Sequence, residues 1–434
     1  MKFTTFQSLF SPAVKTFTIS ACALVGVIAH ANPNISAHYD NNDELVLSVS
    51  RAGVINHAIA IAPFVGDGAL SSALAKTLNG ELHATASGLP VPNATSQSVS
   101  QSLTTWQQAG FRYVLTGSAH SLAGAKRALR YELIDVETGK TVLSGDEFMD
   151  STPQAKETAA AKISERIHQA ITGKAGDFTG QIAYVAEQGR GAQKTSSLIL
   201  ATPNGTTLRT LTQVQGSIFS PTFSPDGTRI AYSVQRTDGL PVIYVQRTDG
   251  STPELATPFK GNNLGASFSP DGTKLLFSGS HENHNPNIYE LDLIARTLTR
   301  RTNLAGAENS PSYLPDGSGF IFSADNGSRT PKLYRYRFSD GKIAPLGLTG
   351  TNPKPSQDGT RLTYVQGGRV MLANLNGANA QSVGTAGTDT LASFSPSGQR
   401  LLYATGSTLT IASPDGKKRQ IRLNATTVRD PAWR

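Results

Sequence analysis

Three groupings in this 434-residue chain have the residue types for chemistry. His281-Glu-Asn-His284 sets two imidazoles and a carboxylate within four residues, a donor set that suits zinc, although a solvated loop between strands is the favoured reading. The aspartates of three Pro-Asp-Gly turns, Asp226, Asp271 and Asp316, offer oxygen ligands of the kind calcium takes. Each repeat supplies only one, and turn chemistry explains it. Lys417-Lys-Arg-Gln-Ile-Arg422 is the one dense basic run, to be read as a polyanion site or as a charged outer hairpin. Glycine pairs four apart centre only on Phe178 and Asn263, so there is no Gly-x-Ser-x-Gly nucleophile elbow. Phosphate-loop, dinucleotide, His-Glu-x-x-His and paired-Cys motifs are also absent from the sequence. Trp106 is expected in a core, and His120 and His168 are expected at partly exposed surfaces. No catalytic residue, cofactor or metal ligand is assigned.

The elements around these residues are repetitive. Turn glycines at 227, 272, 317, 359 and 398 are spaced 45, 45, 42 and 39 residues apart. Each follows a Pro-Asp, Gln-Asp or Pro-Ser pair and precedes an apolar run ending in an aromatic, as in Ser224-Pro-Asp-Gly-Thr-Arg-Ile-Ala-Tyr232. Proline presets the turn, glycine takes its positive φ, and the apolar run reads as a buried strand. Short-strand repeats of about 40–45 residues are propeller blades. Aromatic strand ends at Tyr184, Tyr232, Phe277, Phe322, Tyr364 and Tyr403 count six of them. The first lacks its inner strand, and Asp430-Pro-Ala-Trp433, which matches Ser220-Pro-Thr-Phe223, is expected to supply it and close the ring.

Residues 44–175 read differently, as a smaller α/β domain ahead of a propeller at 178–434. Strands are expected at Leu45–Val49, Ala58–Ala62, Phe111–Thr116, Arg130–Ile134 and Thr141–Leu143, with helices over 68–79 and 98–108. Thr152 and Pro153 start a longer helix that Gly173 stops, with Ile163, Ile167, Ala170 and Ile171 on one face. The fold class is thus an all-β six-bladed β-propeller preceded by a smaller α/β domain.

Composition agrees. The chain holds 41 Gly and 23 Pro but only 16% charged residues and one Cys, which excludes coiled-coil, disordered and disulfide-stapled classes. Residues 1–31 carry Lys2, Lys15, an apolar run from Phe17 to Ile28, and Ala29-His30-Ala31, the pattern of a secretory signal cleaved after Ala31. The run continues six residues past Cys22, which favours soluble export over lipidation at that cysteine. Residues 32–43 form a polar extension. Residues 32–177 hold 11 Lys+Arg against 14 Asp+Glu, net −3, whereas 178–434 hold 26 against 17, net +9. The positive charge is scattered without aromatic interleaving, so a nucleic acid is not an expected partner. Two functional classes remain: a non-enzymatic adaptor, or a secreted propeller enzyme acting on polysaccharide with its site in the channel. Asn, Gly, Ser and Thr dominate the channel-side loops, which favours the adaptor.

Ala60-Ile-Ala-Pro-Phe64, Phe111-Arg-Tyr-Val-Leu-Thr-Gly117, Leu133-Ile-Asp-Val-Glu-Thr-Gly139, the helix ending at Gly173, the repeated blades and Pro431-Ala-Trp433 together resemble the TolB family of the Tol–Pal system. The resemblance implies a non-catalytic, monomeric periplasmic protein of a Gram-negative envelope. It would support outer-membrane integrity and constriction at cell division, and colicins would parasitise it. It also implies binding of the peptidoglycan-associated lipoprotein Pal on loops preceding the Pro-x-aromatic strands: Gly216, Ser217, Asn262, Asn263, Leu264, Gly265, Glu308, Asn309, Thr388, Asp389, Val428 and Arg429. Binding of TolA would fall to Glu44, Leu45, Val46, Leu47, Ser48, Val49, Ser50, Arg51 and Gly53. Two departures stand out: the polar extension, and Ser50-Arg51-Ala52 where an acidic residue usually precedes the glycine.

Overall fold

The computed structural model describes residues 34–39, 45–50, 58–82, 84–86, 99, 101–282, 285–384, 388, 390–413 and 416–434. The expected signal segment and Cys22 lie outside the described residues, as do Asn283 and His284 of the candidate metal cluster. None of the described helices is long and apolar enough to cross a membrane.

The chain divides into two compact units, residues 1–58 and 59–434. In the first, Asn34–Tyr39 and Leu45–Ser50 pair antiparallel, with Asn34 opposite Ser50 and Tyr39 opposite Leu45. The polar extension therefore contributes a strand of its own. Asn34–Tyr39 alternates polar and apolar residues, the second strand does so from Leu47 onward, and the connecting 40–44 is rich in the Asp and Asn that turns favour.

The second unit begins with a five-stranded sheet. Its order is Ala84–Ala86, Ile59–Ile61, Tyr113–Ser121, Lys126–Asp135, Thr141–Asp150; the first three strands are parallel and the last three antiparallel. Alternation sorts its side chains between two faces. Ile59, Ile61 and Leu115 pack under helices α1 (Gly68–Leu82) and α3 (Pro153–Thr172), while Ala60, Ala62 and Val114 pack against Trp106 of α2 (Leu103–Gln108). Trp106 is core, as its sequence context predicts. The last strand runs seven residues beyond the expected Thr141–Leu143 because its inward polar residues are all engaged. Glu147 pairs with Lys162 (2.6 Å) and Arg166 (3.1 Å) of α3, and Gly145 leaves room for Tyr131, whose hydroxyl would lie 2.7 Å from a Cβ there.

The long helix starts and stops as expected. Thr152 Oγ1 accepts from Ala155 N, and Gly173 closes the helix at φ 70°. Two side chains differ from expectation. Ala170 is exposed, and the apolar face is instead Ala159, Ala160, Ile163 and Ile167. His168 is buried, not at the surface: Nδ1 lies 2.8 Å from Lys174 O and the ring meets Phe178 edge-on at 5.7 Å. It follows Ile167 on the helix face that the returning linker covers. Glu165 fixes that linker, accepting from Gly176 N (2.6 Å) and Phe178 N (2.9 Å).

Six four-stranded antiparallel meanders follow among the described residues. Two of them share Thr207–Phe223, a 17-residue strand that is outermost in the first blade and innermost in the second. The other four span 263–300, 308–349, 351–382 and 393–422. Thr427–Trp433 pairs with Ile182–Gln188 as the innermost strand of the first blade, so the last strand closes the ring. Each interblade seam is a separate apolar cluster, for example Tyr184, Leu402, Ile411 and Trp433 at the closure.

The repeated turn is a small polar device. Asp226 accepts from Ser224 Oγ (2.5 Å), Thr228 N (3.1 Å) and Thr228 Oγ1 (2.7 Å), and these bonds hold its carboxyl well below the usual range. Asp271 and Asp358 repeat the arrangement, which answers the calcium reading of Asp226 and Asp271 with turn chemistry. The sixth blade breaks the pattern with Ser397. There a carboxylate arrives from the linker instead: Asp177 accepts from Ser397 N (2.8 Å), Ser397 Oγ (2.6 Å) and Arg400 Nη1 (2.8 Å). The exception in the repeat is where the α/β domain is fastened.

Candidate partner-binding face

At one end of the propeller the innermost strands of five blades deform in the same way. Register shifts occur between Phe219 and Thr222, Leu264 and Ser267, Asn309 and Ser312, Thr351 and Lys354, and Arg429 and Ala432. A left-handed residue sits in each: Ser220 (φ 46°), Gly265 (70°), Ser310 (52°), Asn352 (53°) and Asp430 (49°). Four of the five are not glycine, and a left-handed L-residue costs about 1–2 kcal/mol. Pro follows all four, so the backbone amide lost from the ladder is absent in any case. Repeated bulges of this kind re-aim side chains and mark functional rims.

The bulges are tied to one another across blades. Ser310 Oγ donates to Asn352 Oδ1 (2.7 Å), and Ser220 N donates to Asp430 Oδ2 (3.0 Å). Arg429 is the hub at the first blade. It pairs with Glu187 (2.7 Å) and Asp430 (2.9 Å), donates to Ile218 O, and lies 4.6 Å over the Phe219 ring. Lys194 adds 2.8 Å and 3.2 Å contacts to Glu187 and Ser217. Burial pushes the Glu187 carboxyl up, but Lys194 and Arg429 outweigh it and hold the group below its ordinary value. Its stabilising contribution is therefore present above about pH 4.5 and is lost as pH falls through the depressed value.

Between blades two and five the bulges enclose a cleft of about 460 Å³. Phe219, Leu264, Asn309 and Asn352 line it, with Asp325 and Arg329 at its edge. Arg329 is exposed and is free of any ion pair among the described residues. Asp325 is occupied in holding Ala307 N (3.0 Å) and Gly327 N (3.2 Å).

The residues singled out from sequence divide into three groups. Leu264, Gly265 and Asn309 line the cleft, and Arg429 anchors its neighbouring sector. Asn263 and Glu308 are completely buried and are scaffolding. Asn263 Nδ2 donates to Phe259 O and Gly261 O, while Glu308 accepts from Asn287, Thr302 and Leu304 N. Gly216 is structural too: a Cβ would lie 2.2 Å from Gln235 O, and Gly350 is constrained similarly at Val365 O. Ser217, Asn262 and Val428 support the rim from half-buried or buried positions, and Thr388 is exposed. Asp389, Glu44, Arg51 and Gly53 lie outside the described residues, and Leu45, Val46, Leu47, Ser48 and Val49 lie in the second hairpin strand.

Sequence reading missed Phe219, Ser220, Ser310, Asn352 and Arg329. The signal for three of them was present as Xaa-Pro in register at Ser220-Pro221, Ser310-Pro311 and Asn352-Pro353. Blade five was passed over because Pro355 replaces the aromatic that marks the other inner strands.

Behind this face lies the channel, a cavity of about 320 Å³ to which each blade contributes one inner-strand residue, in five blades the residue two places after the bulge position. These are Thr222, Ser267, Ser312, Lys354, Ser393 and Ala432. Of the candidate zinc donors, His281 stacks between Phe259 (5.5 Å) and Tyr289 (4.2 Å), and burial lowers its pKa. No cluster of three His, Cys, Asp or Glu side chains that could hold a metal occurs among the described residues.

Comparison with known proteins agrees with the architecture. The TolB beta propeller domain model matches residues 168–434, and the TolB amino-terminal domain model matches residues 45–142. The crystal structure of TolB from Acinetobacter baumannii aligns with a TM-score of 0.76 at 31% identity, covering 93% of this chain and 99% of that one. The Tol-Pal system protein TolB of Bordetella avium is 34% identical over 212 residues, 47% of this chain and 45% of the relative. The corresponding protein of Acinetobacter baylyi is 34% identical over 203 residues, 47% of each chain. The chain thus spans about half the length of the curated relatives it matches.

Proposed function

Since the chain belongs to the TolB family, we propose that it is a non-enzymatic periplasmic adaptor of the Tol–Pal system. In this reading the bulge face of the propeller binds the lipoprotein Pal and the N-terminal hairpin segment binds TolA. The joint engagement supports outer-membrane integrity and constriction at division.

The observation that carries the reading is the ring of left-handed bulges around the 460 Å³ cleft. Non-glycine residues in strained conformations, cross-tied between blades, present a preformed surface with little ordering left to lose on binding. The cleft mixes apolar walls from Phe219 and Leu264 with Asn309, Asn352 and Arg329, the composition of an interface core with a polar rim. A propeller enzyme acting on polysaccharide is not favoured by this family.

The test is capture from envelope extracts with the full mature chain and with a chain lacking residues 32–53. The full chain is expected to retain both Pal and TolA. The truncated chain is expected to lose TolA while keeping Pal. Retention of TolA by the truncated chain would remove the N-terminal assignment, and failure of either chain to retain Pal would remove the adaptor reading.

A further inference from the structure

The channel ring holds one residue out of keeping with the rest. Five of its six positions are Thr222, Ser267, Ser312, Ser393 and Ala432; the sixth is Lys354. Lys354 stands between Pro353 and Pro355, so its backbone is confined to extended geometry and its side chain is directed by a rigid strand. Lys354 is half-buried, and its ammonium makes no hydrogen bond or ion pair with any described residue. Among the described residues lining the cavity there is no Asp or Glu, and the other cation is Arg434. Asp430 faces Lys354 from the neighbouring bulge, but its carboxylate is already shared between Arg429 Nη1 and Ser220 N. Ser267 Oγ accepts from Tyr313 N (3.1 Å), which leaves its proton free to turn into the channel, whereas Ser393 Oγ accepts from Trp433 N (3.0 Å) and donates to Phe394 O (3.4 Å).

We propose that the propeller channel is an oxyanion site, in which Lys354 supplies the charge and the ring hydroxyls of Ser267, Ser312 and Thr222 supply hydrogen-bond donors. A tetrahedral ion or a carboxylate fits the 320 Å³ cavity, and an ammonium surrounded by neutral donors is the arrangement that binds either. The lining runs on to the turn residues Pro225, Pro270, Pro315 and Gln357 and includes none of the five bulge residues, so an anion here sits behind the proposed partner surface and not in it. The inference does not depend on which partner docks there.

Burial lowers the Lys354 pKa to about 8, with Asp430 opposing the shift. Unfolding restores the ordinary value, so the cost of partly desolvating the cation is present below about pH 8 and is relieved as pH rises above it. Anion binding follows the opposite course, strongest where Lys354 is charged and fading above about pH 8.

The experiment is thermal unfolding and calorimetric titration of the full mature chain, Lys354→Met and Lys354→Arg. Sodium sulfate represents a free oxyanion and sodium acetate the carboxylate of an inserted peptide, with sodium chloride at matched ionic strength as reference. At pH 7, 10 mM of the preferred anion is expected to raise the melting temperature by about 2–4 °C above the chloride reference. K354R is expected to keep most of that shift, and K354M to lose it with at least a tenfold weaker isotherm. The anion giving the larger shift identifies the source. Equal shifts and isotherms for the native chain and K354M would overturn the proposal, as would no anion-specific response in the native chain.

Discussion

Deleting Asp430–Arg434 lowers the melting temperature of the whole second unit by about 10 °C or more. The segment contributes Trp433 to the seam with Ile182, Tyr184, Leu402 and Val428 and Ala432 to the seam with Ala183 and Ile230, and Trp433 is 7% exposed. Burying a tryptophan of this kind is worth about 3–5 kcal/mol, and a domain this size shifts by about 2–4 °C per kcal/mol. The backbone effect adds to it. Arg434 N donates to Gln181 O at 2.8 Å and Gln181 N donates back to Arg434 O, so the deletion cuts the ladder of the first blade and exposes a strand edge. A ring that loses one inner strand also loses the reason for its last seam to stay shut. Scanning calorimetry measures the effect, and a melt within 2 °C of the native chain would mean that closure is carried elsewhere.

The second large effect is at Asp177. Its carboxylate is 2% exposed and serves Arg400, 7% exposed, together with both donors of Ser397. Breaking a buried pair by removing one partner costs about 3–5 kcal/mol. Asp177 also stands at φ 58°, so alanine would add backbone strain while asparagine tolerates the conformation. Asp177→Asn therefore isolates the charge, and is expected to lower the melting temperature by about 5–10 °C. Ser397→Asp, which restores the turn residue of the other blades, is expected to do the same by setting a second carboxylate against Asp177. Limited proteolysis should then open the 173–177 linker first. An unchanged melt for D177N would show that the fastening is not electrostatic.

The parts of the fold legible in sequence are those where backbone geometry permits few residues. Gly227, Gly272, Gly317, Gly359 and Gly398 all adopt φ near 70°, and a left-handed turn leaves little alternative to glycine. Ring closure was legible for a similar reason, since Asp430-Pro-Ala-Trp433 repeats a bulge, a proline and an aromatic in register. Side-chain direction was not legible. Asn263 and Glu308 are polar residues that read as loop from sequence, the usual mark of a surface, yet each opens an inner strand and turns inward to satisfy backbone groups. His168 reads as a surface residue until the linker folds back across it. The strand Thr141–Asp150 is hidden for a related reason: Glu147 occupies an inward position that only its two partners on α3 make tolerable.

Repeats also make exceptions readable, though only with the structure in hand. Ser397 in place of Asp marks the domain fastening, and Lys354 in place of a hydroxyl residue marks the channel. Asn352 completes the bulge ring in a blade that lacks its aromatic. Each departs from the repeat where its blade meets something that the other blades do not.

The account stands most directly on one titration. Purified soluble Pal is added to the native chain and to Leu264→Arg and Asn309→Arg, both in the cleft between the bulges. Asp249→Ala, on an exposed outer turn, serves as the control. Long cations in the cleft are expected to weaken Pal binding at least tenfold, about 1.4 kcal/mol, with melting temperatures near native and the control unchanged. Native affinity in both cleft variants would place the partner elsewhere and contradict the docking face.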